Sequence, residues 1–525
     1  MTADAIVIGA GHNGLVAANL LADAGWSVAV LETNDRIGGA VHSDTSLHDE
    51  YVTDWFSAFY PLAAASPVLS SLHLEDYGLR WTHAPAPLAH ILPDDTCALL
   101  SRDVDETAES LARFAPGDAD EWRRLVAEFD EVRKPLLNAI FDPFPPVRAG
   151  VGLARSLGVA SGLRFARFAV QSVRRFTEER FDGAGARLLL AGNALHTDLA
   201  PEAAGSAVYG WLLAMLGQRV GFPVPEGGSG KLVQALANRL RAKGGSIELN
   251  CPVERVDVQG GRARGVVTAA GLRRADAVLA DVDAPQLYGR LVEARHLPAR
   301  LLDDLTNFHW DSPTMKLDWA LSAPIGWTAP DARRAGTVHL GVDMDGLTRY
   351  ASGLATRTMP EHPFVLLGQM TLADGSRSPA GTESAWAYTH LPPQREFDDA
   401  EIEAQAERVE LAIERHAPGF RDAIVARRLQ SPTGLHAADA NLVDGAVGGG
   451  TSNIYQQLVF RPVPGLARAE TPVDGLYLAS ASAHPGGGVH GGPGSNAARA
   501  ALLRAGRLGG VWRRGLDAAF GQIYR

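Results

Sequence analysis

The chain has 525 residues, with 49 Lys and Arg against 60 Asp and Glu, a formal net charge of −11. That balance and a pI near 5.8 argue against nucleic acid as a partner. A hydrophobic share of 46% describes a globular chain long enough for two cores, and no run reaches the ~20 apolar residues of a membrane span.

Ala5-Ile6-Val7-Ile8 reads as a strand buried on both faces, too close to the first residue for a signal peptide to precede it. Gly9-Ala10-Gly11-His12-Asn13-Gly14 follows, then a predicted helix over 15–24 and a second buried strand over 27–31 that ends at Glu32. Gly9 allows the tight turn, Gly11 admits a pyrophosphate to the backbone, and Gly14 lets helix pack on strand. The helix N-terminus offers free N–H groups to phosphate, and Glu32 can take both hydroxyls of a ribose. In register these make a dinucleotide fingerprint, which does not by itself choose between NAD and FAD. Asp35-Arg36-Ile37-Gly38-Gly39 resembles the second dinucleotide motif of glutathione-reductase-type flavoproteins, where the glycine pair lies along the FAD diphosphate. FAD is therefore expected, with Arg36, Gly38 and Gly39 added to the site.

Trp55 to Tyr60 is an aromatic stretch, and 102–140 has helical periodicity. From Pro143 to Thr177 there is no acidic residue but six arginines among Leu, Val and Phe. Such a segment suits either a helical cap whose arginines face solvent or peripheral contact with an anionic membrane. Pro225-Glu226-Gly227-Gly228 opens a helix to about residue 242, and Gly230-Lys231 lacks phosphate-loop spacing. Strands are predicted at 246–250, 253–258, 263–269 and 277–281, and a second set at 315–321, 338–341, 364–372 and 385–390. A helix over 401–416 follows. Cys97 and Cys251 have no metal or redox spacing, so a reducing, cytoplasmic setting and no metal site are expected. Near the end, strand 475–479 leads into His484-Pro485-Gly486-Gly487-Gly488-Val489-His490 and a helix from Ser495 to Arg507, a helix N-terminus aimed where a reduced flavin carries negative charge.

Taken in order, Gly9-x-Gly11-x-x-Gly14, Glu32, Gly38-Gly39, Pro225-Glu226-Gly227-Gly228 and His484-Pro485-Gly486-Gly487-Gly488 resemble the phytoene desaturase-like flavoproteins. That group takes in carotenoid desaturases and isomerases, retinol saturase and a pyridine nucleotide-disulphide oxidoreductase domain subgroup, with the amine oxidases as distant relatives. Arg461-Pro462-Val463-Pro464-Gly465 and Asn496-Ala497-Ala498-Arg499 are most similar to that last subgroup. The resemblance implies an α/β fold: a discontinuous Rossmann-like FAD-binding domain of glutathione-reductase type, interleaved with an α+β substrate domain. It assigns 1–75, 225–290 and 466–525 to the FAD domain, and 76–224 and 291–465 to a substrate domain with a helical cap. It also implies that the backbone of Val253 holds the adenine and that Gly488, Val489 and His490 lie at the isoalloxazine. No Cys occurs in that C-terminal region, so FAD is expected to be non-covalent.

The expected activity is removal of a hydride from a largely apolar small molecule, forming C=C or C=N, with electrons passed to oxygen or a quinone-like acceptor. The alternatives are a redox-neutral isomerase on reduced FAD and a flavin-binding interaction protein with little turnover. Two placements of Lys316 are open: at a sheet edge facing solvent, or holding a water at the flavin, as a lysine does in the related amine oxidases. His490 is the candidate acid–base group, and His484 a structural one. Trp55, Phe59, Tyr60, Trp386 and Tyr388 suit a pocket wall or an ordinary core, with Trp386, Tyr388 and His390 on one strand face. Substrate, acceptor and oligomeric state are left undetermined.

Overall fold

The computed structural model describes residues 3–525. Two seven-stranded sheets organise them. In the first, β1 (Ala3–Ile8) lies between Val28–Leu31 and Gly271–Ala280, both parallel to it. Ala5 and Val7 enter one hydrophobic cluster, Ile6 and Ile8 another, so both faces are covered and the run shows no polar alternation. Arg262–Thr268 and Val253–Gln259 extend the sheet on one side and Ser246–Glu248 on the other. Leu476–Leu478 returns from the far end of the chain to pair with Gly271–Ala280.

α1 (His12–Asp23) begins three residues before the predicted Leu15, because the end of the glycine loop already forms its first turn. Nearly every residue from Asn13 to Ala22 is buried, since the sheet, Gly230–Ala242 and Gly492–Ala505 enclose the helix. Asn19 bridges it to its neighbour, donating to the Leu236 carbonyl at 3.0 Å.

The second sheet runs Ile424–Gln430, β2 (Thr314–Leu321), β3 (Glu383–His390), Val365–Gln369, Ala335–Leu340, Ala86–Ile91, Cys97–Leu100. The hairpin of Ala86–Ile91 and Cys97–Leu100 was not expected from the sequence, and the predicted strand 364–372 ends at Gln369, where Met370–Ala373 turns helical. Register places Gln430, Lys316, Tyr388, Leu366, His339 and His90 in one cross-strand row, hence on one face. Helices between 104 and 219 cover that region, among them α3 (Ala184–His196), while α2 (Val147–Val170), broken at Gly158, packs on the outside of Asp118–Phe141 and Ser206–Arg219. Among the described residues no helix is long and apolar enough to cross a membrane.

Candidate active site

The loop between β1 and α1 leaves no room for side chains. Gly9 has a φ of +93°, a Cβ on Gly14 would fall 2.3 Å from the Gly9 carbonyl oxygen, and one on Gly11 would fall 2.7 Å from Asp281 Oδ2. The N-cap of α1 is Gly11, which supplies no side-chain oxygen to the helix end. Gly38 and Gly39, at φ +119° and +54°, lie against this loop: Gly38 N–H donates to the Ala10 carbonyl at 2.9 Å. Glu32 is buried, accepting Ala10 N–H at 2.7 Å on one oxygen and Asn34 N–H at 2.9 Å on the other. Each oxygen keeps a second acceptor position. Cys251 N–H donates to the Glu32 carbonyl at 2.8 Å, bringing the start of Val253–Gln259 beside Glu32. Arg36 stays partly exposed, 3.6 Å from Asp35.

Two carboxyls here carried no sequence signal. Asp281 ends the strand next to β1 and reaches under the loop to accept Gly14 N–H at 2.8 Å. Burial pushes it up to about 8, with Asp439 and Glu32 adding to the shift. Asp439 is likewise pushed up by burial, and its carboxylate stands 3.2 Å from where a Cβ on Gly39 would be.

The C-terminal segment meets the same place from the other side. A Cβ on Gly494 would fall 2.0 Å from the Asn13 carbonyl, so the first turns of α1 and Gly492–Ala505 touch backbone to backbone. Neither helix has a side-chain N-cap. Two positive helix ends thus converge. Gly488, at φ +117°, is exposed, Val489 is partly buried, and the Gly488 carbonyl lies 3.3 Å from His12 Nε2. His490 is enclosed: its Nδ1 accepts Gly492 N–H at 3.0 Å, its Nε2 lies 3.3 Å from the Gly487 carbonyl, and its ring meets Phe141 edge-on at 5.2 Å. Burial holds it neutral, with a pKa down to about 3. His484, down to about 4, keeps a buried Nε2 without a partner.

Lys316 does not face solvent. Its side chain is 3% exposed, and its ammonium pairs with Asp318, donates to the Asp54 carbonyl at 2.8 Å and stands 5.9 Å over the Trp386 ring. Burial lowers its pKa, and Asp318 opposes that. Asp318 also pairs with Arg428 at 3.1 Å, and Arg377 joins Asp54 at 2.9 Å to Asp374 at 2.8 Å. Asp54 in turn accepts Ser229 N–H at 2.8 Å, so the network ties β2 to the Pro225–Ser229 turn.

The five aromatics divide. Phe59, Trp386 and Tyr388 form one wall: Phe59 lies 6.2 Å from Trp386, which stacks on Tyr388 at 6.1 Å. Trp55 lies elsewhere, under the Arg428 guanidinium at 4.3 Å, and Tyr60 is buried in the core around α1. The wall connects to the C-terminal turn, since a Cβ on Gly488 would be 3.1 Å from Leu62 Cδ1, three residues past Phe59. His196 Nδ1 lies 2.9 Å from the Tyr388 hydroxyl. Burial pulls His196 down to about 4 although its side is accessible, and Tyr388 and Tyr209 combine accessible surface with upward shifts from burial. Each of the three keeps accessible surface.

The residues present fit a bound FAD. The glycine loop puts backbone rather than side chains at the uncapped N-terminus of α1, Glu32 has free acceptor positions, and Asn13 Oδ1 and Asn496 Oδ1 are buried acceptors lacking a donor in the first turns of the two helices.

The profile of the family described as Flavin containing amine oxidoreductase matches residues 14–315. The chain is 28% identical, over 94% of its length and 92% of the relative's, to pyridine nucleotide-disulfide oxidoreductase domain-containing protein 2 of Rattus norvegicus. It is 27% identical to a lycopene-forming phytoene desaturase of Pseudescherichia vulneris, over 95% and 98% of the two chains. An oxidoreductase from Methanosarcina mazei shares the fold at a TM-score of 0.62 and 16% identity, over 95% of this chain and 99% of that one.

Proposed function

The chain belongs to the flavin-containing amine oxidoreductase family, and on that premise we propose that it dehydrogenates a largely apolar small molecule and passes the electrons to oxygen or a quinone-like acceptor. It is an FAD-dependent oxidoreductase. We assign 1–75, 225–290 and 466–525 to its FAD domain and 76–224 and 291–465 to its substrate domain, with FAD held non-covalently.

When bound, FAD accepts the hydride removed from the substrate. The protein holds, orients and shields. Glu32 takes the ribose hydroxyls, while the Gly9–Gly14 and Gly38-Gly39 backbones admit the diphosphate, with Arg36 beside them. The two uncapped helix ends stabilise negative charge. Val253, at the edge beside Glu32, offers its backbone to the adenine. His490, neutral and engaged at both ring nitrogens, shapes the turn that presents Gly488 and Val489; this favours a positioning role over proton transfer. Lys316 keeps one ammonium proton beyond its two partners, available to a water or to oxygen.

The observation that carries the apolar substrate is the Phe59–Trp386–Tyr388 wall, joined through Leu62 to the Gly488 turn. The test is photoreduction of the protein-bound flavin followed by mixing with air-saturated buffer. Rapid return of the oxidised spectrum supports oxygen as acceptor; slow return removes oxygen and leaves a quinone-like acceptor or an isomerase. A purified chain with no flavin spectrum would overturn the reading altogether.

A further inference from the structure

Two stretches of this chain expose apolar side chains that water should disfavour, and they approach each other at Gly205. On α2, Val147, Val151, Val159, Leu163 and Val170 are exposed, Val159 by 85% and Leu163 by 71%. The inner residues Leu153, Leu157, Phe165 and Phe168 pack against the core, so the outer face is a second apolar stripe rather than a misassigned core side. The other stretch is 454–460, where Ile454, Tyr455, Leu458, Val459 and Phe460 are all exposed. Leu458 is turned outward on a backbone at φ +53°, a conformation leucine rarely adopts. Ile454 and the Ala169 carbonyl both lie within 4 Å of a Cβ on Gly205, and Arg468 donates to the Phe144 carbonyl at 2.6 Å. The two stretches therefore meet beside Gly205 at the last turn of α2, and Arg468 ties the chain that follows to the residues before its first turn. Exposed apolar surface concentrated in this way marks a contact site.

Charge decides what covers it. Neither 143–177 nor 445–469 contains an acidic residue, although the chain as a whole carries −11. Arg148, Arg155 and Arg164 are exposed and form no ion pair among the described residues, whereas Arg167, Arg174 and Arg175 are all paired with carboxylates. A second copy packed on this face by two-fold symmetry would bring six unpaired guanidinium groups together with no acid to meet them. A bilayer rich in anionic lipid has the opposite sign, accepts the valines and leucines, and lets arginine stems lie flat with their heads at the phosphates.

We propose that the outer face of α2 and the segment 454–460 form one docking surface for an anionic lipid bilayer. A cavity of about 320 Å³ opens beside it, from the exposed His309 and Arg357 inward to Asp198, Tyr350 and His390. Tyr455 of the docking segment stacks on His309 at 5.9 Å, at the rim of that opening. Its inner end reaches β3 at His390, whose ring lies 5.5 Å from that of Tyr388. Docking would thus set this opening, which leads towards Tyr388, against the membrane. That use rests on the apolar-substrate reading above; the docking does not.

The experiment is cosedimentation of the full-length, FAD-loaded protein with vesicles of phosphatidylcholine alone and of phosphatidylcholine with phosphatidylglycerol, at low and high salt. The wild type should pellet with the anionic vesicles and be released by salt. Replacing Arg148, Arg155 and Arg164 by Gln should weaken binding on the order of 100-fold. Val159→Asp with Leu163→Asp, and separately Leu458→Asp with Phe460→Asp, should each weaken it without altering the flavin spectrum. The proposal is overturned if the wild type fails to pellet with anionic vesicles, or binds neutral ones equally. It is also overturned if the 454–460 and α2 variants bind as wild type, or if light scattering shows a dimer that those variants dissolve.

Discussion

Asp311 and Arg461 grip one glycine loop by its two polar edges. The Asp311 carboxylate accepts the N–H groups of Val447 at 2.7 Å, Gly448 at 2.8 Å and Gly450 at 3.3 Å. The Arg461 guanidinium donates to the carbonyls of Gly448 at 3.0 Å, Gly449 at 3.2 Å and Thr451 at 3.0 Å, and to Ala481 at 2.7 Å across the gap. Arg461 is 1% exposed and touches no carboxylate, and burial draws its pKa down to about 10. The loop backs the C-terminal turn directly, since a Cβ on Gly487 would fall 2.6 Å from the Gly448 carbonyl.

Arg461→Met should therefore cost more than one hydrogen bond, because several buried carbonyls lose their donor together. A loss of at least about 3 kcal/mol is expected, with reduced FAD retention as the turn loosens. Arg461→Lys, which lacks the planar fork, should recover only part of it. Thermal unfolding and flavin content after gel filtration measure both, and wild-type values for Arg461→Met would dismiss the clamp.

Gly11→Val should abolish FAD binding. Its Cβ alone would stand 2.7 Å from Asp281 Oδ2, and two further methyls would occupy the approach to the loop backbone. The flavin-to-protein ratio of the purified variant is the readout; full occupancy would refute this assignment of the cofactor loop.

Lys316→Met should slow reoxidation of the reduced flavin by oxygen while leaving FAD bound. Asp318 would keep Arg428 as a partner, so the fold should tolerate the change better than loss of a lone buried ion pair. Stopped-flow reoxidation decides it, and an unchanged rate would reduce Lys316 to the tie between β2 and Asp54.

Asp281→Asn should alter how stability depends on pH. The folded carboxyl, near 8, lies above its ordinary 3.8, so the folded chain holds a proton that the unfolded chain releases. The stabilisation is complete below about pH 4 and is lost as pH rises through about 8. Asn keeps an acceptor for Gly14 N–H and cannot ionise. The variant should thus gain on wild type between those limits, by on the order of a few kcal/mol. Melting of both proteins across that range is the measurement; parallel curves would mean that Asp281 ionises as freely folded as unfolded.

How much of this was legible in sequence varied along the chain. The strand at β1, the glycine loop and Glu32 were readable because each role follows from local backbone chemistry at fixed spacing. Lys316 was readable as unusual, a lysine in an apolar strand, but both its placements agreed with the sequence; only the positions of Asp54 and Asp318 exclude the solvent-facing one. Trp55, Phe59 and Tyr60 look alike in sequence and end up on three different neighbours, since their packing partners come from Arg428, Trp386 and the core around α1. The exposed 454–460 segment gave no warning, because apolar residues outside a periodic element read as ordinary loop or core.

The sequence by itself determined the cofactor half of this protein: turn, helix end and terminal acid lie within its first forty residues, and covalent spacing places them. Only the tertiary structure decided what surrounds them. Asp281 lies 267 positions from the Gly14 amide it accepts, and the Gly494 backbone that meets Asn13 is nearly a chain length away. Such contacts depend on which strands become neighbours, and that is decided by burying whole faces of two sheets rather than by any local motif.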